Sequence, residues 1–328
     1  MKRPRRRFLQ LAAGAAALPA MSRIAAAQAY PSRPVTMIVP ADAGRPTDVV
    51  GRIMGERMQS SLGQPVIIEN VSGADGNIGV GRVARSRPDG YTIDFGATSW
   101  QVLNGAFYSL PYDVLNDFAP IVALGRSAVI IPARKTMPAK DLHELIAWLK
   151  ANPNKASAAV TRSGGRLLAT VFQKETGTQF VLVPYRGVAP AMQDLVAGHI
   201  DLLFYDTPGS SLPLVRAGTI KAYAVTSDTR LAAAPDIPTF AEMGLPTLSF
   251  SGWVGLFAPK GTPRDIIDKL NAAAVEALAD PAVRSRLVEF VAEIFPREQQ
   301  TPEALGALQR ADAEKWWPII KAAGIRAE

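Results

Sequence analysis

The chain has 328 residues, 48% hydrophobic and 20% charged, a composition that excludes a disordered protein and leaves room for two domains of ordinary size. Its net charge of +7 comes largely from the first 29 residues, which carry six basic side chains and no acidic one. The rest carries about +1, so no polyanionic partner such as nucleic acid is indicated. Cysteine is absent from the sequence, which excludes disulfides, thiolate metal sites and cysteine nucleophiles.

The first residues follow the order of segments found in an export signal. The pair Arg5–Arg6 opens a twin-arginine pattern, the apolar stretch 9–21 is too short to span a bilayer, and the Ala-Gln-Ala at 27–29 fits a small-x-small cleavage site. We therefore predict a twin-arginine signal peptide over 1–29. The mature protein, beginning at Tyr30, is then free in the periplasm or secreted, without stable membrane insertion. The alternative is a basic, disordered N-terminus.

From Tyr30 onward, short apolar runs alternate with stretches of helical spacing. In the first set, strands are predicted at VTMIVP, PVIIEN and PDGYTIDFG, and helices at DVVGRIMGERMQSSLG and through Val83 and Ala84. A second set has strands at IVALGRSAVIIPAR, KASAAVTRS, FVLVPYRG, DLLFYD and IKAYAVTS, and helices at DLHELIAWLKANP, LLATVFQKETG and APAMQDLVAGHI. Strands separated by helices are typical of parallel βαβ units in an α/β fold.

The last part of the chain begins with a strand-like run, SGWVGLFAPKGTP, and then turns helical. Helices are predicted at PRDIIDKLNAAAVEALAD, PAVRSRLVEF and PEALGALQRADAEKWWPIIKAAG. Pro318 is expected to kink or interrupt the last of these helices, because proline removes a backbone donor and clashes with the preceding turn.

Two strand-like links, near 121–132 and 251–259, join the two α/β sets. They predict two lobes, with lobe 1 formed by residues 30–127 and 255–328 and lobe 2 by residues 128–254. Each lobe is expected to hold a mostly parallel sheet flanked by helices. A cleft between such lobes is a common place for a ligand.

Catalytic candidates are few. The only histidines, His143 and His199, lack spaced partners that would make a triad or a metal pair, and both are interpreted as surface or helix-end residues. No GxSxG, HExxH or P-loop is present, and the glycines of NVSGADGNIGVG do not have dinucleotide-fingerprint spacing. The sequence therefore predicts no catalytic residue, no metal site and no cofactor.

Three loops that follow predicted strands are suited to binding an anion. They are Gly44 to Asp48, Thr98–Ser99, and Thr161 to Gly165 (TRSGG), and two of them open a helix. Free N–H groups and the dipole at a helix N-terminus favour negative charge, and open α/β sheets bind ligands at the carboxyl ends of their strands. Loops from both lobes are thus predicted to bind an anion together. For any one loop, ordinary helix capping is the alternative.

The chain resembles the substrate-binding proteins of the tripartite tricarboxylate transporter family, the Bug receptors. The stretches that carry the resemblance include YPSRPVTMIVP, PTDVVGR, LGQPVIIEN, RPDGYT, LPYDVLNDFAPI, VPYRGVAPAMQDLVAGHIDLLF, LPLVRAGTIKAYAVTS, DIPTFAEMG and GLFAPKGTP. The resemblance implies a monomeric, non-catalytic clamshell, a periplasmic binding protein that captures a small organic acid. It also implies partners, either membrane transporter subunits or a sensor protein.

In that family the first loop usually reads P-F-x-x-G-G-x-x-D, and backbone amides of this loop hold the ligand carboxylate. Here Pro40, Gly44 and Asp48 match, whereas Ala41 replaces the usual phenylalanine and Arg45 the second glycine. Loss of the aromatic ring is expected to widen the mouth of the site.

The second lobe also departs from the family pattern. The TRSGG loop is about two residues shorter than usual, and Arg166 stands at the position of a family histidine. Tyr185 and Gly187 match a VPY-x-G loop, and Asp206 resembles a pocket aspartate of the family.

One or more of Arg45, Arg162 and Arg166 is hypothesised to pair with a ligand carboxylate. The alternative for Arg45 is that it points to solvent or pairs with Asp42. The predicted ligand-binding residues are Ala41, Ala43, Gly44, Arg45, Thr47, Asp48, Thr98, Ser99, Thr161, Arg162, Ser163, Gly164, Gly165, Tyr185, Gly187 and Asp206.

Two other functions stay open at this point. The chain can be a ligand-sensing subunit that presents its closed form to a signalling protein. It can also be an enzyme acting on an anionic substrate, although no base and nucleophile are evident in the sequence.

Overall fold

The computed structural model describes residues 30–324, so the predicted signal peptide and its cleavage site lie outside the described residues. The strands are β1 (Val35–Val39), β2 (Val66–Asn70), β3 (Thr92–Ala97), β4 (Phe118–Ala128), β5 (Ile130–Arg134), β6 (Ser157–Thr161), β7 (Val181–Tyr185), β8 (Leu202–Phe204), β9 (Ile220–Val225), β10 (Ser251–Pro259) and β11 (Glu293–Ile294). The α-helices are α1 (Pro46–Leu62), α2 (Asn77–Ala84), α3 (Asn104–Phe107), α4 (Leu142–Ala151), α5 (Arg162–Thr176), α6 (Val188–Ala197), α7 (Pro208–Arg216), α8 (Arg264–Ala279), α9 (Pro281–Leu287) and α10 (Pro302–Ala322). A π-helical turn, Ser99–Leu103, leads into α3, and 3₁₀ turns lie at Ala74–Gly76, Pro246–Leu248 and Arg297–Gln299.

The strands form two sheets, one in each lobe. The first sheet has the order β11-β4-β10-β3-β1-β2 and the second the order β7-β6-β8-β5-β9. Helices flank both sheets, which confirms the predicted two-lobed α/β fold.

Both sheets are mixed, so the expectation of mostly parallel sheets is wrong in detail. In the first sheet β1 runs parallel to β2 and β3, whereas β10 is antiparallel to β3 and β4. In the second, β6 runs parallel to β7 and β8, whereas β5 is antiparallel to β8 and β9. β11 is likewise antiparallel to β4. Strands β5 and β10 arrive from the other lobe and do not enter through a βαβ crossover, which is the connection that makes neighbouring strands parallel.

Two crossovers connect the lobes, and Thr226 ties them together. The first crossover passes from β4 to β5 at Val129, whose amide donates to Thr226 Oγ1 at 2.8 Å. The same hydroxyl donates to the carbonyl of Phe250 on the second crossover at 2.5 Å. Backbone bonds from Thr226 N to Val129 O (2.9 Å) and from Phe250 N to Thr226 O (2.8 Å) complete the link. We call this cluster of Val129, Thr226 and Phe250 the hinge knot.

Sheet membership changes at the hinge knot. Strand β10 pairs with the first sheet from Ser251 onward, and β4 pairs with that sheet as far as Ala128. The division into lobes at 127/128 and 254/255 stays a prediction, since it concerns how the two parts move.

Local sequence explains why α1 stands at the edge where a ligand would lie. Pro46 occupies its first turn, where the missing amide costs nothing, and Gly63 ends it in a left-handed conformation with φ 67°. On its inner face, Ile53, Met54 and Met58 are buried against the first sheet. The N-terminus of α1 is therefore fixed at the carboxyl end of β1.

Two proline-containing helices differ from what the sequence suggests. No element is predicted from the sequence at α7, which contains Pro208 and Pro213. In the fold, Pro208 starts the helix and buried Leu212 anchors it. Pro318 does not interrupt α10, because buried Trp316 and Ile320 on either side hold the helix against the first lobe.

The segments that follow β1 and β3 approach those that follow β6 and β7, since Arg45 lies near Gly187 and Ser163 bonds to Asn104. This arrangement brings the predicted anion loops of the two lobes toward each other. None of the helices within residues 30–324 is long and apolar enough to cross a membrane.

Candidate functional site

The carboxylate of Asp48 stabilises the first loop, which lies between β1 and α1. This carboxylate is 2% exposed and accepts hydrogen bonds from Gly44 N (2.8 Å), Arg52 Nε (3.0 Å) and Asn70 Nδ2 (2.9 Å). Asn70 also donates to the carbonyl of Ala41 at 3.1 Å. Burial acts to raise the pKa of Asp48, but the bonds from Arg52, Gly44 and Asn70 outweigh it and hold the pKa below its usual value. Asp48 therefore shapes the loop as an anion within the fold.

The outer surface of this loop is available to a ligand. Ala43 and Gly44 are exposed, and Gly44 has φ 80°, a left-handed conformation that glycine adopts without strain. The turn also places Thr47 in the first turn of α1. Its Oγ1 atom is buried and has no hydrogen-bond partner among the described residues. The backbone amides in the first turn of a helix also lack partners within the helix. The hydroxyl of Thr47 and these amides therefore place several hydrogen-bond donors at the start of α1.

The second loop, after β3, is held by the opposite strand. Thr98 Oγ1 accepts from the amide of Trp253 at 2.8 Å and lies 3.3 Å from its carbonyl, to which it can donate. This side chain therefore joins β3 to β10, which accounts for its burial. Ser99 follows it, buried, at the start of the π-helical turn that leads to Asn104.

A buried polar chain supports that π-helical turn. Gln101 Nε2 donates to Asp94 Oδ2 at 2.8 Å, and Gln309 Nε2 donates to the carbonyl of Gln101 at 2.9 Å. Asp94 is 0% exposed, and its Oδ1 has no partner among residues 30–324. Burial raises the pKa of Asp94 to about 7. We call Asp94, Gln101 and Gln309 the buried carboxyl chain.

The third loop opens α5 in the second lobe. Thr161, Ser163, Gly164 and Gly165 are all buried. The side chain of Arg162 lies outside what the structure describes, so its predicted contact with a ligand stays a prediction. A Cβ atom on Gly165 would lie 3.0 Å from the carbonyl of Phe204, so the turn packs closely on the end of β8.

A hydrogen bond across the cleft joins the third loop to α3, the short helix that comes after the second loop. Ser163 Oγ donates to Asn104 Oδ1 at 3.2 Å. Asn104 is itself held by bonds from its Nδ2 to the carbonyl of Asp75 (3.0 Å) and to Asn77 Oδ1 (2.7 Å). A residue that the sequence did not single out, Asn104, therefore presents a fixed acceptor to the second lobe.

Arg45 makes a second approach between the lobes. Its guanidinium nitrogens would lie 3.6 and 3.7 Å from a Cβ atom on Gly187, and Gly187 is buried. Arg45 is partly buried, and its Nε atom is buried. Pairing of Arg45 with a ligand carboxylate, and the alternative of solvent or Asp42, stay predictions.

Charges of both signs affect the Tyr108 hydroxyl. Burial raises its pKa, Asp75 of lobe 1 raises it further, and Arg166 of lobe 2 lowers it. A ligand contact for Arg166 stays a prediction.

Two predicted site residues have their polar atoms engaged within lobe 2. Tyr185 donates its hydroxyl to Asp194 Oδ2 at 2.5 Å, and His199 Nδ1 lies 3.1 Å from the other oxygen of Asp194. Asp206 is buried and accepts from the hydroxyls of Ser210 (2.5 Å) and Ser211. Burial raises the pKa of Asp206, and the two serines oppose that rise. A ligand contact for Tyr185 or Asp206 stays a prediction.

Sequence reasoning missed three residues at the cleft: Asn104, Tyr108 and Tyr205. Tyr205 ends the DLLFYD run, so the rule that ligands lie at the carboxyl ends of strands could have found it. Asn104 and Tyr108 follow the Thr98–Ser99 loop by one or two helical turns, and nothing in their spacing marks them. Among the residues that the structure describes, no group of three or more histidine, aspartate or glutamate side chains could hold a metal ion.

Two α/β lobes joined by a double crossover, with anion-suited loops facing each other across a cleft, define the class of two-lobed periplasmic binding proteins. The family model described as "Tripartite tricarboxylate transporter family receptor" matches residues 50–325. The chain belongs to this family of solute-binding receptors.

Relatives agree with this assignment along nearly the whole chain. The chain is 34% identical over 304 residues to the protein BugT of Bordetella pertussis, covering 92% of this chain and 92% of that one. Its fold is similar to that of MatC from Rhodopseudomonas palustris with bound malate, at 35% identity and a TM-score of 0.79, covering 89% of this chain and 100% of the other. It is also similar to an R. palustris protein solved with adipate, at 31% identity and a TM-score of 0.79, covering 90% and 99%.

Proposed function

We propose that the protein captures a small carboxylate in the interlobe cleft and delivers it to the membrane subunits of a tripartite transporter. The acid lies between the first loop of lobe 1 and the N-terminal turn of α5 in lobe 2. Three of the predicted positions form its surroundings: Thr47 and Arg45 on one side and Ser163 on the other. The relatives solved with malate and with adipate support a carboxylate as the bound group.

The single observation that carries this proposal is the buried, unpartnered hydroxyl of Thr47. A buried hydroxyl without a partner costs about 1–3 kcal/mol on the scale of protein mutations. It stands in the first turn of α1, beside the exposed backbone of Ala43 and Gly44. A carboxylate oxygen seated there accepts from the hydroxyl and from the helix amides, and so removes the cost.

The free energy of binding requires hydrogen-bond donors from both lobes. A receptor of micromolar affinity needs about 8 kcal/mol. A helix N-terminus contributes about 0.3–1 kcal/mol to a bound anion, and each charge-assisted hydrogen bond about 1.5–3 kcal/mol. One loop falls short of the total, whereas donors from both lobes reach it. Because both lobes contact the acid only when they are close together, the acid favours the closed state.

A ligand screen tests the proposal. The mature chain is heated with mono-, di- and tricarboxylates, amino acids, aromatic acids and neutral sugars, and hits are measured by calorimetry. At least one carboxylate is expected to raise the melting temperature, since a ligand at 100 times its Kd adds about 2.7 kcal/mol. Stabilisation by a neutral sugar and by none of the acids would reject the proposal.

Replacement of Thr47 by valine is expected to weaken binding of the best acid by about five- to tenfold, the value of one hydrogen bond. The melting temperature of the ligand-free protein should stay the same or rise, because valine fills the same space without a buried unpartnered hydroxyl. Calorimetry and thermal unfolding measure the two effects. Thr47→Ser keeps the hydroxyl and should retain most of the affinity. Equal affinity in the valine variant would remove Thr47 from the site.

Replacement of Arg45 by alanine is expected to weaken binding of a dicarboxylate, tested with malate and adipate, by about tenfold or more. The reason is that its guanidinium lies at the cleft against Gly187 and supplies a positive charge to the acid. The matched control is Arg186→Ala, which removes the same charge from an exposed neighbour of Gly187. Equal losses in the two variants would show only a general effect of net charge.

Export and assembly belong to the same proposal. We propose that the segment 1–29 directs export by the twin-arginine route and that the mature chain works as a monomer in the periplasm. Substitution of Arg5 and Arg6 by lysine should leave the precursor inside the cell, as fractionation would reveal; unchanged export would contradict this route.

A further inference from the structure

We infer that Tyr205 is a positioning residue, which holds the α5 turn of the binding cleft in register with the hinge knot. Tyr205 ends β8 with φ 75°, in the left-handed region that bulky residues rarely adopt. Such a conformation is strained and persists only where surrounding contacts enforce it. The contacts on the two sides of this residue show what enforces it.

On the cleft side, Tyr205 packs against the glycines that open α5. A Cβ atom on Gly164 would lie 2.8 Å from Cζ of the Tyr205 ring, and one on Gly165 would lie 3.3 Å from Tyr205 Cβ. The ring therefore takes the space that a side chain at position 164 would need. The Tyr205 ring therefore sets the distance between the first turn of α5 and the sheet. It also sets the direction in which the amides of that turn point.

On the hinge side, the same ring reaches the second crossover. A Cβ atom on Gly252 would lie 3.3 Å from the Tyr205 hydroxyl oxygen. The ring centroid lies 5.8 Å from that of Phe250, a member of the hinge knot, and Phe250 lies 5.4 Å from Trp316 of α10 in lobe 1. An aromatic series thus runs from the α5 turn, through the hinge, into lobe 1.

The residue after Tyr205 prevents the backbone from relaxing. The Asp206 carbonyl accepts from Ile130 N at 2.9 Å, directly after the first crossover, while its carboxyl accepts from Ser210 and Ser211. Tyr205 is therefore fixed between a crossover and the α5 turn. A rotation at the hinge knot moves the ring, and the ring moves the turn. The coupling is a property of the ligand-free protein; its use in binding rests on the proposed function.

A double-mutant cycle in the ligand-free mature protein tests the coupling. Thr226→Val perturbs the hinge knot by removing both bonds of its hydroxyl, and Tyr205→Gly removes the ring while tolerating the backbone conformation. Hydrogen exchange is measured at the amides of residues 163–167. We expect Thr226→Val to speed this exchange about threefold or more when Tyr205 is present, and less than about 1.5-fold in the Tyr205→Gly background.

Rescue distinguishes positioning from a general structural role. Tyr205→Phe keeps the ring and should restore the response to Thr226→Val, although its own melting temperature can differ. Equal responses in the tyrosine and glycine backgrounds, or no response in either, would overturn the inference. Tyr205→Asn, which also accepts a left-handed backbone, replaces the glycine variant if that variant does not fold.

Binding provides a separate measurement. In a malate titration, Tyr205→Gly is expected to weaken binding by about tenfold, and Tyr205→Phe by less than about threefold. Failure of malate to bind the unsubstituted protein would count against that acid as the ligand. The exchange cycle would still decide whether Tyr205 couples the turn to the hinge.

Discussion

Replacement of Asp48 by alanine is expected to abolish measurable binding of the best acid and to lower the free energy of unfolding by about 3 kcal/mol. The carboxylate holds three donors from different parts of lobe 1: Gly44, Arg52 and Asn70. Without it, the Gly44 amide and the Asn70 amide lose their acceptor and the left-handed turn at Gly44 loses its support. Calorimetry and urea unfolding measure the two losses.

The Asp48 effect is also expected to depend on pH. The folded pKa of this carboxyl lies below the unfolded value, so its contribution is present above the unfolded pKa and is lost as the pH falls through the folded one. Glu56→Ala is the matched control, since it removes an acid from the same helix whose partner, Arg286, is exposed. The control should change stability by less than about 1 kcal/mol. Full binding by the Asp48→Ala protein would contradict the bracing role.

Replacement of Asp94 by asparagine is expected to stabilise the protein increasingly as the pH rises from 4 to 8. The folded pKa is about 7 against an ordinary 3.8, so the folded state keeps a proton that the unfolded chain releases. Stability of the unsubstituted protein therefore falls as the pH rises through this window, by up to about 4 kcal/mol from this group. Asparagine retains an oxygen for Gln101 and carries no charge, so that decline disappears.

Urea unfolding at pH 4.5, 6 and 8 measures this difference. Asp265→Asn is the control, because it neutralises an exposed acid in the first turn of α8. Its stability should follow the pH profile of the unsubstituted protein. Parallel profiles for Asp94→Asn and the unsubstituted protein would mean that Asp94 is ionised in the fold at low cost.

The elements were predictable because burial imposes their periodicity. The strand at β1 and the helix ended by Gly63 lie where apolar spacing and a C-terminal glycine put them. The direction of β5 and β10 within their sheets was not predictable, because it depends on the crossovers between the lobes. The helix that begins at Pro208 was also not predicted, because the effect of a proline depends on whether it starts a helix or falls inside one.

The candidate site was predictable as a set of loops but not as a set of side-chain roles. Asp48 and Thr98 belong to two of the predicted loops, yet the fold uses their polar atoms to hold backbone groups in place. Arg45 lies near Gly187 of the other lobe. The surroundings of Thr98 and Arg45 thus involve residues more than a hundred positions apart, which local spacing does not encode.

Because β10 lies between β3 and β4, the central strand of the first sheet is synthesised after the whole of lobe 2. In a nascent chain that has not reached Ser251, β3 and β4 of lobe 1 lack the strand that pairs with both of them. Lobe 2 already has all its strands at that point. Lobe 2 is therefore expected to become protease-resistant first on the ribosome. The early part of lobe 1 then depends on chaperones until its missing partner emerges.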